Sequence, residues 1–205
     1  MTPVVCPAYF PNVSYCSWML NQSSVLFVKD THFQKQTYRN RAEIYGANGK
    51  LKLSIPIAQS KTQRRQKEYE VCIANDMQWQ QQHWKSISTA YRSSPYFEFY
   101  EKDLAPFYER KATFLMTFNL EVLLKLMNLI DVSLPYQVVQ WDANVHKRMD
   151  FLLDAKKDYP LENEPYTQVF ENKNGFLSDL SILDVVFNLG PDSRAYLKNQ
   201  KVISS

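Results

Sequence analysis

The chain has 205 residues, 45% hydrophobic and 22% charged, which suits one ordinary folded domain and argues against extended disorder. Three cysteines, an odd number, do not make a disulfide framework, and four glycines cannot build a glycine-rich phosphate loop. The formal charge of +3 hides an asymmetry: residues 29–67 carry ten basic and two acidic side chains, and no charged side chain precedes Lys29. Such a stretch is either a solvated basic face or a surface for an anionic partner. Zinc-finger, RNP-type and basic-heptad signatures are missing, so no specific nucleic acid is expected.

In chain order, residues 4–6 read as a short apolar strand, and Pro7 and Pro11 bracket a turn around Tyr9 and Phe10. Asn12 is placed to cap a helix through Leu20, and the four-residue run 25–28 reads as a buried strand. Strand, helix and strand within 30 residues predict a parallel pair joined by a right-handed crossover. In such sheets functional side chains collect just past the strand carboxyl ends, where Asp30 and His32 stand. Residues 42–45 and 51–57 flank Gly46-Ala-Asn-Gly49, a hairpin signal. Leu51, Leu53, Ile55 and Ile57 are expected on its buried face, with Pro56 at an edge or at the strand's end. Residues 60–68 read as an exposed loop and 69–73 as a further strand.

From residue 76 the period changes to that of a helix. Asn75 or Asp76 is expected to cap a helix to Tyr91, with Trp79, His83, Ile87 and Ala90 on one face. Ser94-Pro95 is expected to start the next helix, which Pro106 bends or breaks. Residues 114–130 form the best core helix, with Glu121 and Lys125 paired on its wetter side. Asn and Glu interrupt this most apolar stretch, so it falls short of a membrane span. The N-terminus lacks the basic region of a signal peptide, so a cytoplasmic location is expected. Later, 136–141 suggests a strand, 146–159 a charged and broken segment, 181–187 a helix stopped by Gly190-Pro191, and 192–199 a last short helix.

The densest chemistry lies in residues 30–41. Asp30 beside an exposed His32 can orient the imidazole as a general base, and an extended chain puts both on one side. Arg39 and Arg41 share the same spacing, and the planar guanidinium suits a carboxylate or phosphate. The alternative is a polar strand end whose arginines pair with the acidic remainder of the chain. His83 suits either a site or a core histidine bonded to backbone, and Asp30, His32 and His83 make a three-ligand metal site only if the fold unites them. The three cysteines read as buried small hydrophobes, and no Gly-x-Ser-x-Gly elbow is present.

Pro7-Ala-Tyr-Phe-Pro11, His32-Phe-Gln-Lys-Gln-Thr-Tyr-Arg-Asn-Arg41, Gly46-Ala-Asn-Gly49 and Leu53-Ser-Ile-Pro56 resemble the WbqC-like protein family. The likeness continues through Trp79, His83, Ala90-Tyr91 and Ser94-Pro-Tyr-Phe-Glu-Phe-Tyr100, then Pro165-Tyr-Thr-Gln-Val-Phe170, Gly175-Phe176 and residues 180–191. Some members begin with Gln-Pro where this chain has Cys6-Pro7. The resemblance implies a role in bacterial surface-polysaccharide biosynthesis, with transfer of an amino acid such as glycine to an amino sugar as the proposed activity.

The expectation is therefore one α/β domain over residues 1–205, with a mixed β-sheet from residues 1–75 and a predominantly helical part over 76–205. The leading function is acyl or aminoacyl transfer onto a carbohydrate amine during O-antigen building. His32 or His83 would take the amine proton, with Asp30 orienting the base. Arg39 and Arg41, helped by Lys35 and Asn40, would hold the anionic portion of a small sugar-containing substrate, and Tyr38, Trp79 and Tyr9 would flank the sugar. No tightly bound cofactor is expected, and an activated acyl or aminoacyl donor would be the co-substrate. A glycan or nucleotide-sugar binding protein without turnover, and a metal-dependent enzyme using Asp30, His32 and His83, are the alternatives.

Overall fold

Val4, Val5, Val25, Phe27 and Val28 are all buried, and these two short β-branched runs form the centre of a sheet. In the computed structural model, which describes residues 1–59, 65–156, 161–162 and 164–202, they are β1 (Thr2–Val5) and β2 (Val25–Val28). The two strands pair in parallel, Val4 opposite Leu26, and α1 (Val13–Leu20) connects them. Asn12 caps α1 as expected, accepting from the Tyr15 amide at 3.2 Å. A distant second cap is supplied by Asp179, whose carboxylate accepts from the Ser14 amide at 2.8 Å and from Asn12 Nδ2 at 2.7 Å.

The hairpin is β3 (Arg41–Gly46) and β4 (Gly49–Ser54), closed from Gly46 to Gly49. It stands as its own antiparallel pair instead of joining the parallel sheet. Leu53 and Ile55 are buried as expected, but Leu51 is 40% exposed although Ile44, opposite it, is buried. The strand ends at Ser54, ahead of Pro56. Residues 69–73 do not form a strand: a 3-10 turn spans Glu68–Glu70, and only single bridges follow at Cys72 and Ile73. The loop expected at 60–68 lies partly outside the described residues, as does the end of the charged segment 146–159.

The helical part follows. In α2 (Trp79–Tyr91), Trp79, His83, Ile87 and Ala90 are buried on one face as expected. It begins after Gln78 rather than at Asn75 or Asp76: Asn75 Nδ2 donates to the Ala112 carbonyl at 2.8 Å, its Oδ1 makes no hydrogen bond among the described residues, and neither residue caps the helix. The next helix, α3 (Phe97–Leu104), starts after Tyr96 instead of at Ser94-Pro95; Ser94 Oγ donates back to the Tyr91 carbonyl at 2.6 Å and closes α2. Pro106 breaks the helix as expected and opens α4 (Pro106–Glu109). The core helix α5 (Leu115–Leu129) buries Leu115, Phe118, Val122, Leu123, Leu126 and Met127. Glu121 and Lys125 do not pair: Glu121 meets Arg110, and Lys125 meets Asp103 at 2.6 Å.

Two more strands come from the second half of the chain. β5 (Tyr136–Val139) was expected; β6 (His146–Arg148) was not. The sheet order is β5-β2-β1-β6, and every pairing is parallel. Then come α6 (Glu171–Asn174), α7 (Ile182–Leu189), with Ser181 as its cap, and α8 (Ser193–Asn199). A two-residue antiparallel pair, β7 (Leu161–Glu162) and β8 (Lys201–Val202), completes the order. One contiguous core runs from Val4 to Leu197 through sheet, hairpin and helices. The fold is α/β, with parallel and antiparallel strands on separate sheets and helices mostly in the second half.

Candidate functional site

Because all pairings in the sheet are parallel, the carboxyl ends of its four strands lie along one edge. The chain segments leaving that edge are where an α/β sheet collects functional groups. A cleft of about 890 Å³ opens beside them. It is lined by the chain after β2 (His32 to Gln36), Asn40 and Arg41 at the start of β3, residues 55–59 after β4, Arg65, Gln66, and Arg148 at the end of β6. Ile55, Pro56, Ile57 and Phe33 supply apolar surface. Lys35, Arg41, Arg65 and Arg148 supply charge, and Gln34, Gln36, Asn40, Gln59 and Gln66 supply amides. No carboxylate lines the cleft among the described residues. Lys35, Arg41 and Arg65 form no ion pair among the described residues.

Four of the expected site residues thus share one cavity: His32, Lys35, Asn40 and Arg41. His32 is exposed, and its backbone bridges to Lys67. Asn40 turns its amide nitrogen to the Ile55 carbonyl at 3.0 Å, and its oxygen is buried without a hydrogen bond. Asp30 does not bond His32. Its Oδ1 accepts from the Trp141 amide at 2.6 Å, and its Oδ2 lies 3.9 Å from Lys67. The carboxylate therefore ties the exit of β2 to the exit of β5.

Arg39 points into the protein and is 1% exposed. Its Nε donates to Glu68 at 2.6 Å, and its Nη2 meets Asp150 at 3.1 Å. The alternation that would place it beside Arg41 fails for a local reason: residues up to Asn40 form a turn, closed by Asn40 N–H to the Thr37 carbonyl at 3.2 Å, and the strand begins only at Arg41. Burial raises the Glu68 carboxyl above its ordinary range, and Arg39 works against that rise. Cys6 lies 3.8 Å from Arg39 Nη2 and 3.5 Å from Thr31 Oγ1. Burial pushes its thiol up to about 12, so it stays protonated and is no nucleophile at neutral pH.

His83, Tyr9, Tyr38 and Trp79 are all buried and line none of this cleft. Tyr9 Oη lies 2.9 Å from His83 Nδ1 and 2.8 Å from Tyr108 Oη. Burial pulls the His83 pKa down to about 4, with a bond to the Ser54 carbonyl opposing it. A neutral ring that donates to Ser54 and accepts from Tyr9 fits all these contacts. Trp79 stands edge-on to His83, with ring centroids 5.2 Å apart. Asp30, His32 and His83 do not converge; no group of three or more metal-ligating side chains occurs among the described residues.

Two residues of the site carried no chemical signal in the sequence. Asn119, on α5, donates to the Arg39 carbonyl at 2.7 Å and to the Pro7 carbonyl at 3.2 Å, fixing two loops at the sheet edge. Arg148 enters the cleft from a strand that has no apolar pattern.

The WbqC-like protein family matches residues 6–159. The chain belongs to this family. Membership suggests a protein associated with polysaccharide biosynthesis. The matched stretch contains every residue lining the cleft, and α7 and α8 lie beyond it. No curated protein and no solved structure shows significant similarity. No helix among the described residues is long and apolar enough to cross a membrane.

Proposed function

We propose that the cleft binds an anionic, sugar-containing substrate and transfers an acyl or aminoacyl group onto its amine. The carrying observation is the lining itself: one imidazole, His32, among four cations and five amides, with no carboxylate among the described residues. Cations suit a phosphate or diphosphate, amides suit sugar hydroxyls and an N-acyl group, and the apolar surface suits a ring face. In the reaction the substrate amine attacks the carbonyl carbon of an activated donor, and His32 takes the amine proton. The new C–N bond forms, the donor's bond to its leaving group breaks, and that group departs with the electron pair and receives a proton. Lys35, Asn40 and Arg41 are the proposed substrate contacts. Arg39, Tyr9, Tyr38, Trp79 and His83 support the cleft from behind.

One observation favours binding without turnover: Asp30 is committed to Trp141, so no carboxylate orients His32. A single assay separates the two. With UDP-glucosamine as acceptor and a glycyl thioester as donor, His32→Gln should lose at least a hundredfold in turnover while the midpoint shift caused by UDP-glucosamine persists. A wild-type protein that is stabilised by UDP-glucosamine and forms no amide with any acyl donor is a binding protein.

A further inference from the structure

Arg148 stands apart from the other cations of the cleft because its guanidinium is built in. It ends an edge strand, paired to Val4, and the next amide, Met149 N–H, donates to the Val4 carbonyl at 2.9 Å. The guanidinium ion-pairs with Asp150 and lies over the Trp141 ring, 5.8 Å from its centroid. Both partners are themselves held. Asp150 is gripped from behind by the buried Arg39, which Glu68 fixes in turn. Trp141 is held through its amide by Asp30. A guanidinium held over an indole face can still direct N–H groups at oxygen acceptors. Arg148 Nε and Nη2 are buried and make no hydrogen bond among the described residues, so Nη2 meets Asp150 as an ion pair only. A buried, unsatisfied cationic donor at a cleft wall is costly unless a ligand oxygen completes it.

Resting on the cleft reading above, we propose that Arg148 is the phosphate-recognising residue of this site, positioned by Asp150 and Trp141. The ligand class is a phosphate or diphosphate group on the substrate. Arg41, Lys35 and Arg65, which form no ion pair among the described residues, add three cations around the same cavity, more than a singly charged carboxylate needs. Asp30 and Arg39 then have a role at the site without touching the substrate: each holds a residue that holds Arg148.

Calorimetric titration with inorganic pyrophosphate and with UDP-N-acetylglucosamine tests this on the full chain. Both probes should bind the wild type, with affinity falling as salt rises. Arg148→Lys keeps the charge but loses the planar fork and should bind both probes at least tenfold more weakly. Asp150→Asn removes a negative charge beside the cavity; recognition by net charge alone predicts tighter binding, whereas positioning predicts binding several-fold weaker. Trp141→Leu leaves every charge in place and should also weaken binding several-fold, which covers an Asp150 variant that fails to fold. If Arg148→Lys and Trp141→Leu bind like wild type while Arg41→Gln binds weakly, Arg148 is not the recognition residue and the cleft reading stands. If neither probe binds the wild type, the cleft reading falls, and this assignment with it.

Discussion

Arg39 shows how a residue type can be read correctly and its place missed. Its identity signals an ion pair, and the structure gives it Glu68 and Asp150, but inside the protein. Arg41, two residues on, faces the cleft. Side-chain alternation is a property of extended backbone, and the turn at Thr37–Asn40 breaks it before β3 begins. Local spacing therefore could not tell the two apart. Removing one partner of a buried ion pair leaves the other charge stranded, at a cost of about 3–5 kcal/mol. Arg39→Met should lose that much in urea denaturation. Arg39→Met combined with Glu68→Gln should recover a large part, since no unpaired carboxylate then remains beside it. A second residue-scale case is Gly190. Its φ is +53°, and a Cβ there would lie 2.5 Å from the Tyr96 ring. Gly190→Ala meets both the positive φ and the ring, and should lower stability by about 2 kcal/mol or more. Gly49, with φ +100° and open space around it, meets only the first, so Gly49→Ala should cost less in the same measurement.

At the scale of elements, legibility followed the strength of the hydrophobic period. The buried faces of α2 and α5 and the parallel pair β1–β2 were all readable, since apolar spacing reports directly which side is covered. β6 was not readable. Its sequence is His146-Lys-Arg148, and it is a strand only because the edge of β1 is there to pair with it. Local propensity carries no trace of a partner more than a hundred residues away. Helix starts also differed: Gln78, at φ +38°, turns the chain into α2, and α3 begins after Tyr96, so neither Asn75 nor Ser94 stands at a helix N-terminus. Asn119 is the counterpart inside α5. In the sequence it interrupts an apolar helix; in the structure it latches the Arg39 and Pro7 carbonyls. Asn119→Ala leaves two buried acceptors unpaired and should cost about 2 kcal/mol. Asn119→Leu fills the volume and leaves the same acceptors unpaired, so it should not restore stability. A leucine variant as stable as wild type would show that the latch contributes only packing.

The whole molecule carries buried titratable groups that pull its stability in opposite directions with pH. His83 is held neutral, with its pKa lowered by burial to about 4. The unfolded chain takes up that proton near pH 6.5, so the favourable contribution of His83 is complete above that pH and is lost as pH falls toward 4. Asp184 behaves the other way. It is fully buried, meets Tyr166 Oη at 2.5 Å and Gln168 Nε2 at 2.8 Å, and burial raises its pKa to about 6 against those bonds. Folding therefore favours its protonated form, and that contribution is present below about pH 4 and is lost as pH rises through 6. Asp179, the distant cap of α1, adds a second contribution of the same sign, with a pKa raised to about 7 mainly by burial. Over pH 4 to 6.5 the histidine makes stability rise with pH and the two carboxyls make it fall. Each variant should therefore tilt the profile predictably. Asp184→Asn imitates the protonated carboxyl, so its deficit relative to wild type should shrink by about 3 kcal/mol between pH 4 and pH 8. His83→Gln keeps an acceptor for Tyr9 but does not titrate, so its deficit should shrink as pH falls from 7 to 4. Urea unfolding of the three proteins at half-unit pH steps checks both tilts. Parallel profiles for wild type and Asp184→Asn would mean that the Asp184 carboxyl titrates at its ordinary value and that Tyr166 and Gln168 fully offset its burial.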